Sequence, residues 1–437
     1  MCLGSIASLI GHRIEGVHKW SGSVTGSDDC IYGIPDGARR VVKFNPVDKS
    51  MTEIGPDLGG DDAEKWRGGV LAGNDCIYCA PAYFANRILK IDTTNSTVTL
   101  LDVRMPETSA GGKWASGALA ADGCIYFMPL TAHHILKFNP YNDTVSSVGV
   151  ALGKGWSKYS GTVAGNDNCL YGIPSSIEQV LRFSPADQEI SFVGGDVEHY
   201  CTNCCRNGAL GRDGHIYAFC SKYCQVLKID VVNNNYSLLG NRTLHSYCEL
   251  VGGWGHAILG CDGCIYWPPR NANRILKYDP ETQGTSLVGP DFGAFSWKWS
   301  SGAAASDGKI YCIPYNATRI LAIDPFGEFE TTLQAEMKHH PSELGRLFEE
   351  EHSDKTAYEC AITRFGKEKV FRVIDNCIPS HVVCTDEVTS LPSFMVAASY
   401  KNSAVSVVYF LLRKYLDSTS LVRCIVTDDN DSKKIQL

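Results

Sequence analysis

The 437-residue sequence lacks several features that define large classes of protein. No run of about 18 apolar residues occurs, so we predict no membrane span. The net charge of −8 disfavours a broad electrostatic contact with nucleic acid, and we predict no nucleic-acid partner. The G-x-x-x-x-G-K-S/T phosphate loop, the H-E-x-x-H zinc motif and the G-x-S-x-G nucleophile elbow are missing too. With 44% apolar residues, the chain is nevertheless typical of a folded globular protein.

Cysteine is frequent, but its share of the sequence is too low for a fold that is held together by disulfides. The chain has 19 cysteines in 437 residues, an odd number. The first residues carry no basic segment followed by a long apolar one, as a secretory leader would. We therefore predict a cytoplasmic location, with secretion as the alternative because six N-x-S/T sequons are present.

One pattern recurs through the first three quarters of the chain. Its mark is Ile-Tyr or Leu-Tyr, and successive marks are 45 to 49 residues apart. The seven marks begin at Ile31, Ile77, Ile125, Leu170, Ile216, Ile265 and Ile310. Internal periodicity of this length is typical of stacked or radial repeat folds, and we number the units 1 to 7 along the chain.

Each unit contains four short strand patterns, here called A to D. Asp-Gly forms the A–B turn in four units, proline usually ends strand B, and Asn-Pro or Asp-Pro usually follows strand C. Strand C is nearly all apolar, which predicts burial on both faces. Strand A is rich in Gly, Ala and Ser, as expected where several strands converge. The pattern predicts a mainly β fold, a seven-bladed β-propeller with four strands per blade, over residues 1–335.

The units resemble known propeller families. They are similar to kelch-like repeats in length and in Gly-Gly and aromatic content. They resemble the NHL and streptogramin-lyase type in the order G-x-x-x-x-D-G-x-I-Y, as in Gly117 to Tyr126, followed by I-L-K-x-D-P. Residues 5–11 resemble a strand D and are expected to complete the last blade as a clasp, in competition with residues 328–333.

The chain after residue 335 has a different pattern. Residues 336–352 are charged and predict a helical linker. Within 353–437, two segments resemble degenerate ankyrin repeats, each with an Ala-containing first helix and a Val-rich second helix. The typical His of the first helix is absent from both. The alternative is an unrelated four-helix cap. Two repeats rarely stand alone, so this region is expected to dock on the propeller or on a partner.

The cysteines divide into two groups. Five occupy one repeat position before the Ile/Leu-Tyr mark and are predicted to be small apolar fillers: Cys30, Cys76, Cys124, Cys169 and Cys264. Cys76 and Cys79 lie along one strand, so we predict no metal knuckle there. Blade 5 has its own cluster, at Cys201, Cys204, Cys205, Cys220 and Cys224. For that cluster free thiols, a disulfide and a zinc site remain open, and we predict no metal site.

Two rings of side chains are predicted on one face of the propeller, because D–A and B–C connections emerge on the same side. The residues before strand A are Lys19, Trp20, Lys65, Trp66, Lys113, Trp114, Trp254, Lys298 and Trp299. The basic residues before strand C are Arg40, Arg87, His134, Arg274 and Arg319. Cations beside indoles are typical of sites for anionic or aromatic ligands or peptides. In the alternative interpretation each Trp wedges between blades and each Arg pairs with a loop carboxylate.

Two functions follow from this pattern. The first is a non-enzymatic scaffold that binds a protein partner or a small anionic ligand through the propeller rim. We predict that it is a monomer without a cofactor. The second is a metal-assisted lyase or lactone hydrolase at the channel mouth, with Mg²⁺ or Ca²⁺. The streptogramin-lyase resemblance implies a His, a Glu and Mg²⁺ there. His256 is the counterpart we assign, as a catalytic candidate, and no Glu stands in a matching sequence.

Overall fold

The computed structural model of the protein describes residues 6–59, 64–106, 113–153, 155, 157–177, 179–194, 205–240, 253–293 and 295–325, with residue 327 and the strand residues 350–351 and 355–356. The chain forms two compact units, one of Ser5–Pro325 and one of Met1–Gly4 with Phe326–Leu437. Among the described residues, no helix is long and apolar enough to cross a membrane.

The second unit is described only at one antiparallel strand pair. Strand β29 (Glu350–Glu351) pairs with β30 (Lys355–Thr356), at the junction of the predicted linker and the first ankyrin-like segment. The rest of both predicted regions lies outside the described residues, so the helical linker and the ankyrin-like repeats stay predictions.

In the first unit, 28 strands form seven four-stranded antiparallel sheets, here called blades 1 to 7. Blade 1 contains β2 (Trp20–Thr25), β3 (Ile31–Pro35), β4 (Val41–Phe44) and β5 (Met51–Ile54). Blade 2 contains β6 (Val70–Leu71), β7 (Cys76–Cys79), β8 (Leu89–Asp92) and β9 (Thr97–Leu100). Blade 3 contains β10 (Trp114–Leu119), β11 (Ile125–Pro129), β12 (Ile135–Asn139) and β13 (Thr144–Val148).

The remaining blades repeat this plan. Blade 4 contains β14 (Tyr159–Ala164), β15 (Leu170–Pro174), β16 (Val180–Ser184) and β17 (Glu189–Val193). Blade 5 contains β18 (Cys205–Leu210), β19 (Ile216–Cys220), β20 (Gln225–Asp230) and β21 (Asn235–Leu239). Blade 6 contains β22 (Ile258–Leu259), β23 (Ile265–Trp267), β24 (Ile275–Asp279) and β25 (Gly284–Val288). Blade 7 contains β26 (Ala303–Ala304), β27 (Ile310–Cys312), β28 (Ile320–Ile323) and β1 (Ala7–Ile10).

The blades close into a ring. The innermost strand of every blade contacts the innermost strand of the next, and β26 contacts β2. Small residues permit this approach: a Cβ added at Gly22 would lie 2.9 Å from Cα of Gly68 in the neighbouring blade. The N-terminal strand β1 pairs antiparallel with β28. The predicted seven-bladed propeller and its N-terminal clasp are thus confirmed, while residues 328–333 lie outside the described residues.

The repeated Asp and Tyr stabilise the A–B turn of six blades. In blade 3, the Tyr126 hydroxyl donates to Asp122 Oδ2 at 2.7 Å, and Asp122 Oδ1 accepts the backbone N–H of Cys124 at 3.0 Å. Lys137 of strand C pairs with the same carboxylate at 3.0 Å. The equivalent Tyr–Asp bonds join Tyr32 to Asp28, Tyr171 to Asp167, Tyr217 to Asp213, Tyr266 to Asp262 and Tyr311 to Asp307. Each carboxylate accepts hydrogen bonds from a backbone N–H of the turn and from the tyrosine hydroxyl, and in several blades a lysine or arginine side chain pairs with it as well.

The filler interpretation of the five repeat cysteines is confirmed, since all five are buried and none of them forms a disulfide. Blade 5 is mixed: Cys205 and Cys220 are free, whereas Cys224 is disulfide-bonded. Cys201 and Cys204 lie outside the described residues. No group of three or more metal-ligating side chains occurs in the described part of the chain.

A lysine just before the inner strand joins five of the blades to the blade before. The backbone N–H of Lys65 donates to the carbonyl of Asp36 in blade 1 at 3.2 Å, and its own carbonyl accepts from Ala82 at 2.9 Å. The buried Nζ donates to the carbonyls of Ala38 and Gly59, both at 2.8 Å. The same N–H link to the preceding blade is made by Lys19, Lys65, Lys113, Lys158 and Lys298. These lysines are therefore inter-blade connectors.

This role predicts a large stability effect for Lys65→Met. The substitution keeps an apolar stem of similar length but leaves the buried carbonyls of Ala38 and Gly59 without a donor, which should lower the free energy of unfolding by about 2–4 kcal/mol. The measurement is equilibrium unfolding in urea. The matched control is Lys309→Met, which breaks a partly exposed ion pair with Asp324 and should cost less than about 1 kcal/mol. Equal stability of both variants would contradict the connector role.

Candidate functional site

Equivalent positions in the blades are identified by one cross-strand pair. It joins the start of the inner strand to the end of the second strand, or, in blades 2 and 6, a residue four positions before the inner strand to one two positions after the second strand. The pairs are Trp20–Pro35, Trp66–Pro81, Trp114–Pro129, Tyr159–Pro174, Cys205–Cys220 and Trp254–Pro269. Trp299 and Pro314 have the same spacing in blade 7. Residues next to this pair in different blades therefore lie on common circles around the ring axis.

A cavity of about 430 Å³ lies on that axis, because all seven blades contribute to its lining. We call it the axial cavity. Directly after the inner-strand member of each pair, it is lined by Ser21, Arg67, Ser160, Arg206 and Ser300. Directly after the second-strand member, it is lined by Asp36, Leu130, Ser175, Arg270 and Tyr315. The other lining residues are Glu64, Tyr83, Ser157, Cys205, His256 and Trp297. The backbone positions that line the cavity thus repeat from blade to blade, but the side chains at these positions differ.

The lysine connectors place several of these residues. The carbonyl that accepts the connector N–H belongs to Asp36, Leu130, Arg270 or Tyr315 in four of the five cases. Because the backbone of each lining residue is bonded to the next blade, its side chain is held at the edge of the axial cavity. Ring closure and cavity geometry thus depend on the same hydrogen bonds.

Two arginines in the axial cavity have unpaired buried nitrogens. Arg206 lies on β18, and Arg270 follows Pro269 in blade 6 and is 4% exposed. The Nε atoms of both are buried and form no hydrogen bond. Burial, reinforced by Arg67, lowers the pKa of Arg206 to about 10. Burial, reinforced by Arg206, also lowers the pKa of Arg270. Both guanidiniums remain charged near neutral pH and repel each other.

The other charged residues in the cavity are engaged locally. Arg67 pairs with Glu64 at 2.6 Å and lies over the ring of Tyr83, 4.9 Å from its centroid. Asp36 accepts a hydrogen bond from the Tyr315 hydroxyl at 2.8 Å. Burial raises the pKa of this carboxyl. Positive charge therefore exceeds negative charge in the described lining.

Aromatic stacking fixes Arg270. Its guanidinium carbon lies 3.5 Å from the ring centroid of Trp297, and that ring stacks on Tyr315 with centroids 5.6 Å apart. Trp297 has a φ of 63°, a left-handed conformation that is unfavourable for a bulky side chain. Its N–H donates to Asn271 Oδ1 at 2.8 Å, which helps to hold the strained backbone. The same left-handed conformation occurs at the equivalent residues of blades 1, 2 and 4, which are His18, Glu64 and Ser157, so it belongs to the repeated framework.

His256 also lines the axial cavity. It lies two residues after Trp254, where other blades have Gly, Ser or Asn. Burial and the three arginines lower the pKa of its imidazole to about 3. The ring is therefore neutral at physiological pH. Its placement at the channel mouth agrees with the sequence interpretation, and its catalytic role stays a prediction.

The predicted rings lie around the same face, but most of their side chains are occupied. Burial lowers the pKa of both Lys19 and Lys298 to about 8, and their amines donate to backbone carbonyls. Lys113 donates to Ala85 O and Asn86 Oδ1. The indoles are buried and donate to the carbonyls of the basic ring, Trp20 to Arg40, Trp66 to Arg87, Trp114 to His134, Trp254 to Arg274 and Trp299 to Arg319.

The basic ring is closer to solvent than the indoles. Arg87 lies 3.7 Å from the exposed carboxylate of Asp102, Arg274 donates to the carbonyl of Gly289, and Arg319 is exposed. These contacts give the two rings a structural role. This agrees with the alternative interpretation, in which the Trp side chains pack between blades and the Arg side chains pair locally. Their role in binding a partner stays a prediction.

Sequence reasoning missed Arg67, Arg206 and Arg270. The signal that identifies them is the departure from the repeat beside each Trp–Pro position: Ser21, Ser160 and Ser300 share a circle with two of the arginines. Of the residues that line the axial cavity, only His256 was a catalytic or ligand-binding candidate in the sequence analysis. The predicted binding residues were the regular Lys-Trp pairs instead, although blade packing by itself requires such repetition.

A divalent metal does not fit the described lining. The carboxylates of Asp36 and Glu64 are engaged by Tyr315 and Arg67, respectively. Mg²⁺ and Ca²⁺ prefer several oxygen ligands. In this cavity they would also meet three guanidiniums. We therefore derive no metal-dependent step for this site.

The comparisons with known proteins identify the fold. No protein-family model matches the sequence, and no curated protein matches it either. A streptogramin B lyase structure is similar with a TM-score of 0.60 and 14% identity, over 72% of this chain and 97% of that chain. A catalytically inactive histidine-to-alanine variant of virginiamycin B lyase from Staphylococcus aureus, with quinupristin, gives 0.59 and 12%, over 72% and 98%. Hydrazine synthase from Kuenenia stuttgartiensis gives 0.52 and 12%, over 72% and 99%.

These similarities support the propeller fold predicted from the repeat. Identities this low do not carry an activity from one chain to another, and the enzymes named differ in chemistry. The function must therefore be argued from the axial cavity itself.

The depressed pKa of His256 predicts a specific pH dependence of stability. A histidine with a pKa of about 6.5 when unfolded and about 3 when folded contributes stability above pH 6.5, and this contribution is lost as the pH falls toward 3. His256→Asn should therefore lose less thermal stability than the wild type between pH 7 and pH 5. Thermal unfolding at each pH measures this. His12→Asn, at an exposed position, should follow the wild-type profile. A wild-type profile for His256→Asn would contradict burial of a neutral ring.

Proposed function

We propose that the propeller is a non-enzymatic binding protein that holds a small anionic ligand in its axial cavity. The observation that carries this proposal is the pair of buried, unpaired Nε atoms of Arg206 and Arg270. An uncompensated buried charge costs several kcal/mol of stability, so its retention indicates a partner that binds there. The planar guanidinium fork fits the oxygens of carboxylates, sulfates and phosphates.

The size and lining of the cavity support a small ligand rather than a protein. A volume of about 430 Å³ falls within the usual range for small-molecule sites. The predicted protein-binding rim depends on Lys and Trp side chains, and those are buried. A protein partner, if one binds this face, would meet the exposed arginines of the basic ring instead. We therefore favour the small-ligand form of the scaffold hypothesis.

A lyase or hydrolase remains the second candidate, and one observation favours it. His256 presents a neutral imidazole in the same cavity as the arginines, so a bound anion would lie near a general base. Mass spectrometry of a bound compound after incubation separates the two functions. A product that forms with the wild type but not with His256→Asn, while binding is retained, would support catalysis.

Removal of one buried arginine tests the binding proposal. Arg270→Met should raise the melting temperature of the free protein, because a buried unpaired charge is replaced by an apolar side chain. In the wild type, citrate and sulfate at matched ionic strength should raise the melting temperature more than chloride does, by mass action. That increment should disappear in Arg270→Met and in Arg206→Met.

The control is Arg13→Met, which removes an exposed arginine that pairs with Glu15 outside the axial cavity and should keep the increment. Equal melting temperatures of the wild type in citrate, sulfate and chloride would reject the anion site. Loss of stability in free Arg270→Met would instead identify the arginine as a structural residue.

A further inference from the structure

The charges in the axial cavity carry information about the charge of its ligand, and this inference rests on the proposed function. Arg67 and Glu64 form a pair with no net charge. Asp36 accepts its hydrogen bond from a neutral phenol, that of Tyr315, and its carboxyl group acts on Arg270 through space without forming an ion pair with it. Arg206 and Arg270 are left as two guanidiniums without a carboxylate partner.

The two guanidiniums approach the same space from neighbouring blades. Arg206 belongs to the inner strand of blade 5, and Arg270 to the loop after the second strand of blade 6. Both line the axial cavity. Their mutual repulsion is relieved most by a compact group that carries more than one negative charge and offers several oxygens to both forks.

The position of Arg270 is fixed before any ligand binds. Its flat face is covered by Trp297 at 3.5 Å, so its N–H edge is left to face other groups. Trp297 is in turn held by Tyr315 and by Asn271. Arg67 is similarly stacked on Tyr83. Preorganised donors of this kind lower the entropic cost of binding an oxyanion.

The rest of the lining suits a polar ligand body. Ser157, Ser175 and Ser300 have side-chain hydroxyls at the cavity and donate no hydrogen bond to described residues. Leu130 is the one aliphatic residue in the described lining. These three serine hydroxyls suit a ligand that carries hydroxyl groups of its own.

We infer that the ligand is a phosphate monoester of a small hydroxylated molecule, with the doubly charged phosphate between Arg206 and Arg270. A carboxylate or a sulfate ester carries only one charge and therefore attracts the two guanidiniums less strongly than a doubly charged group does. At neutral pH a phosphate monoester carries close to two negative charges and three acceptor oxygens. Trp297 acts as a positioning residue for Arg270 and does not itself need to touch the ligand.

The test uses two probes of almost the same shape, glucose 6-phosphate and glucose 6-sulfate, which differ by one charge. Isothermal titration of the full-length protein at pH 7.5 should show at least tenfold tighter binding of the phosphate. Arg206→Met and Arg270→Met should each reduce this preference to less than twofold. Arg13→Met should keep it, because Arg13 is an exposed residue outside the axial cavity and pairs with Glu15.

Trp297→Leu tests the positioning role separately. Loss of the stack should weaken phosphate binding, while Trp297→Phe, which keeps an aromatic face, should restore most of it. A merely structural role of Trp297 would lower the melting temperature of both variants and leave the affinity for phosphate and the preference over sulfate unchanged.

The outcomes distinguish this inference from the proposed function. Equal binding of the two probes, or binding of neither where citrate still raises the melting temperature, overturns the phosphate assignment and leaves the anion site intact. Binding of neither probe together with no effect of citrate or sulfate overturns the proposed function as well.

Discussion

Five of the seven blades are joined to the preceding blade through a lysine that is buried against the backbone of both. At Lys65 the N–H, the carbonyl and the amine all bond to main-chain groups, and two of these bonds reach the preceding blade. Burial of an amine is unfavourable unless its donors are satisfied, so the lysine holds the loops around it in one arrangement. Repetition of this connector around the ring keeps the wedges in register. Closure by β1 on β28 then leaves blade 7 with its full set of four strands.

The same connectors give the site its precision. Asp36, Arg270 and Tyr315 have backbone carbonyls that accept connector bonds, and their side chains line the axial cavity. A symmetric framework can thus carry an asymmetric site, since the backbone positions are repeated while the side chains differ. Blade 5 departs from the repeat at the framework pair as well, because Cys205 and Cys220 replace Trp and Pro next to Arg206. The stability of the ring and the chemistry of the cavity use different atoms of the same residues.

Sequence reasoning was most successful where one residue type does the same work in every blade. The Ile/Leu-Tyr marks predicted the blade number, and the Tyr–Asp bond at Tyr126 shows why the tyrosine recurs. It was least successful for residues whose role depends on distant neighbours. Arg206 and Arg270 are 64 positions apart by number, and nothing in either local sequence indicates that both enter one cavity. Lys65 and Trp66 were conspicuous because they repeat, and they repeat because packing requires them.

The amino-acid sequence by itself determined the repeat, the strand order and the number of blades, whereas the pairing of β1 with β28 settled which strand completes blade 7. These follow from local pattern, since each strand and turn is specified within about 46 residues by alternation, Asp-Gly turns and proline. Only the tertiary structure decided which side chains are occupied and which are left without a partner. That distinction depends on contacts between blades: the buried amine of Lys65 meets carbonyls of blade 1, whereas the buried Nε of Arg270 meets none. Burial and satisfaction are properties of the closed ring, so they cannot be assigned to a residue before the ring is formed.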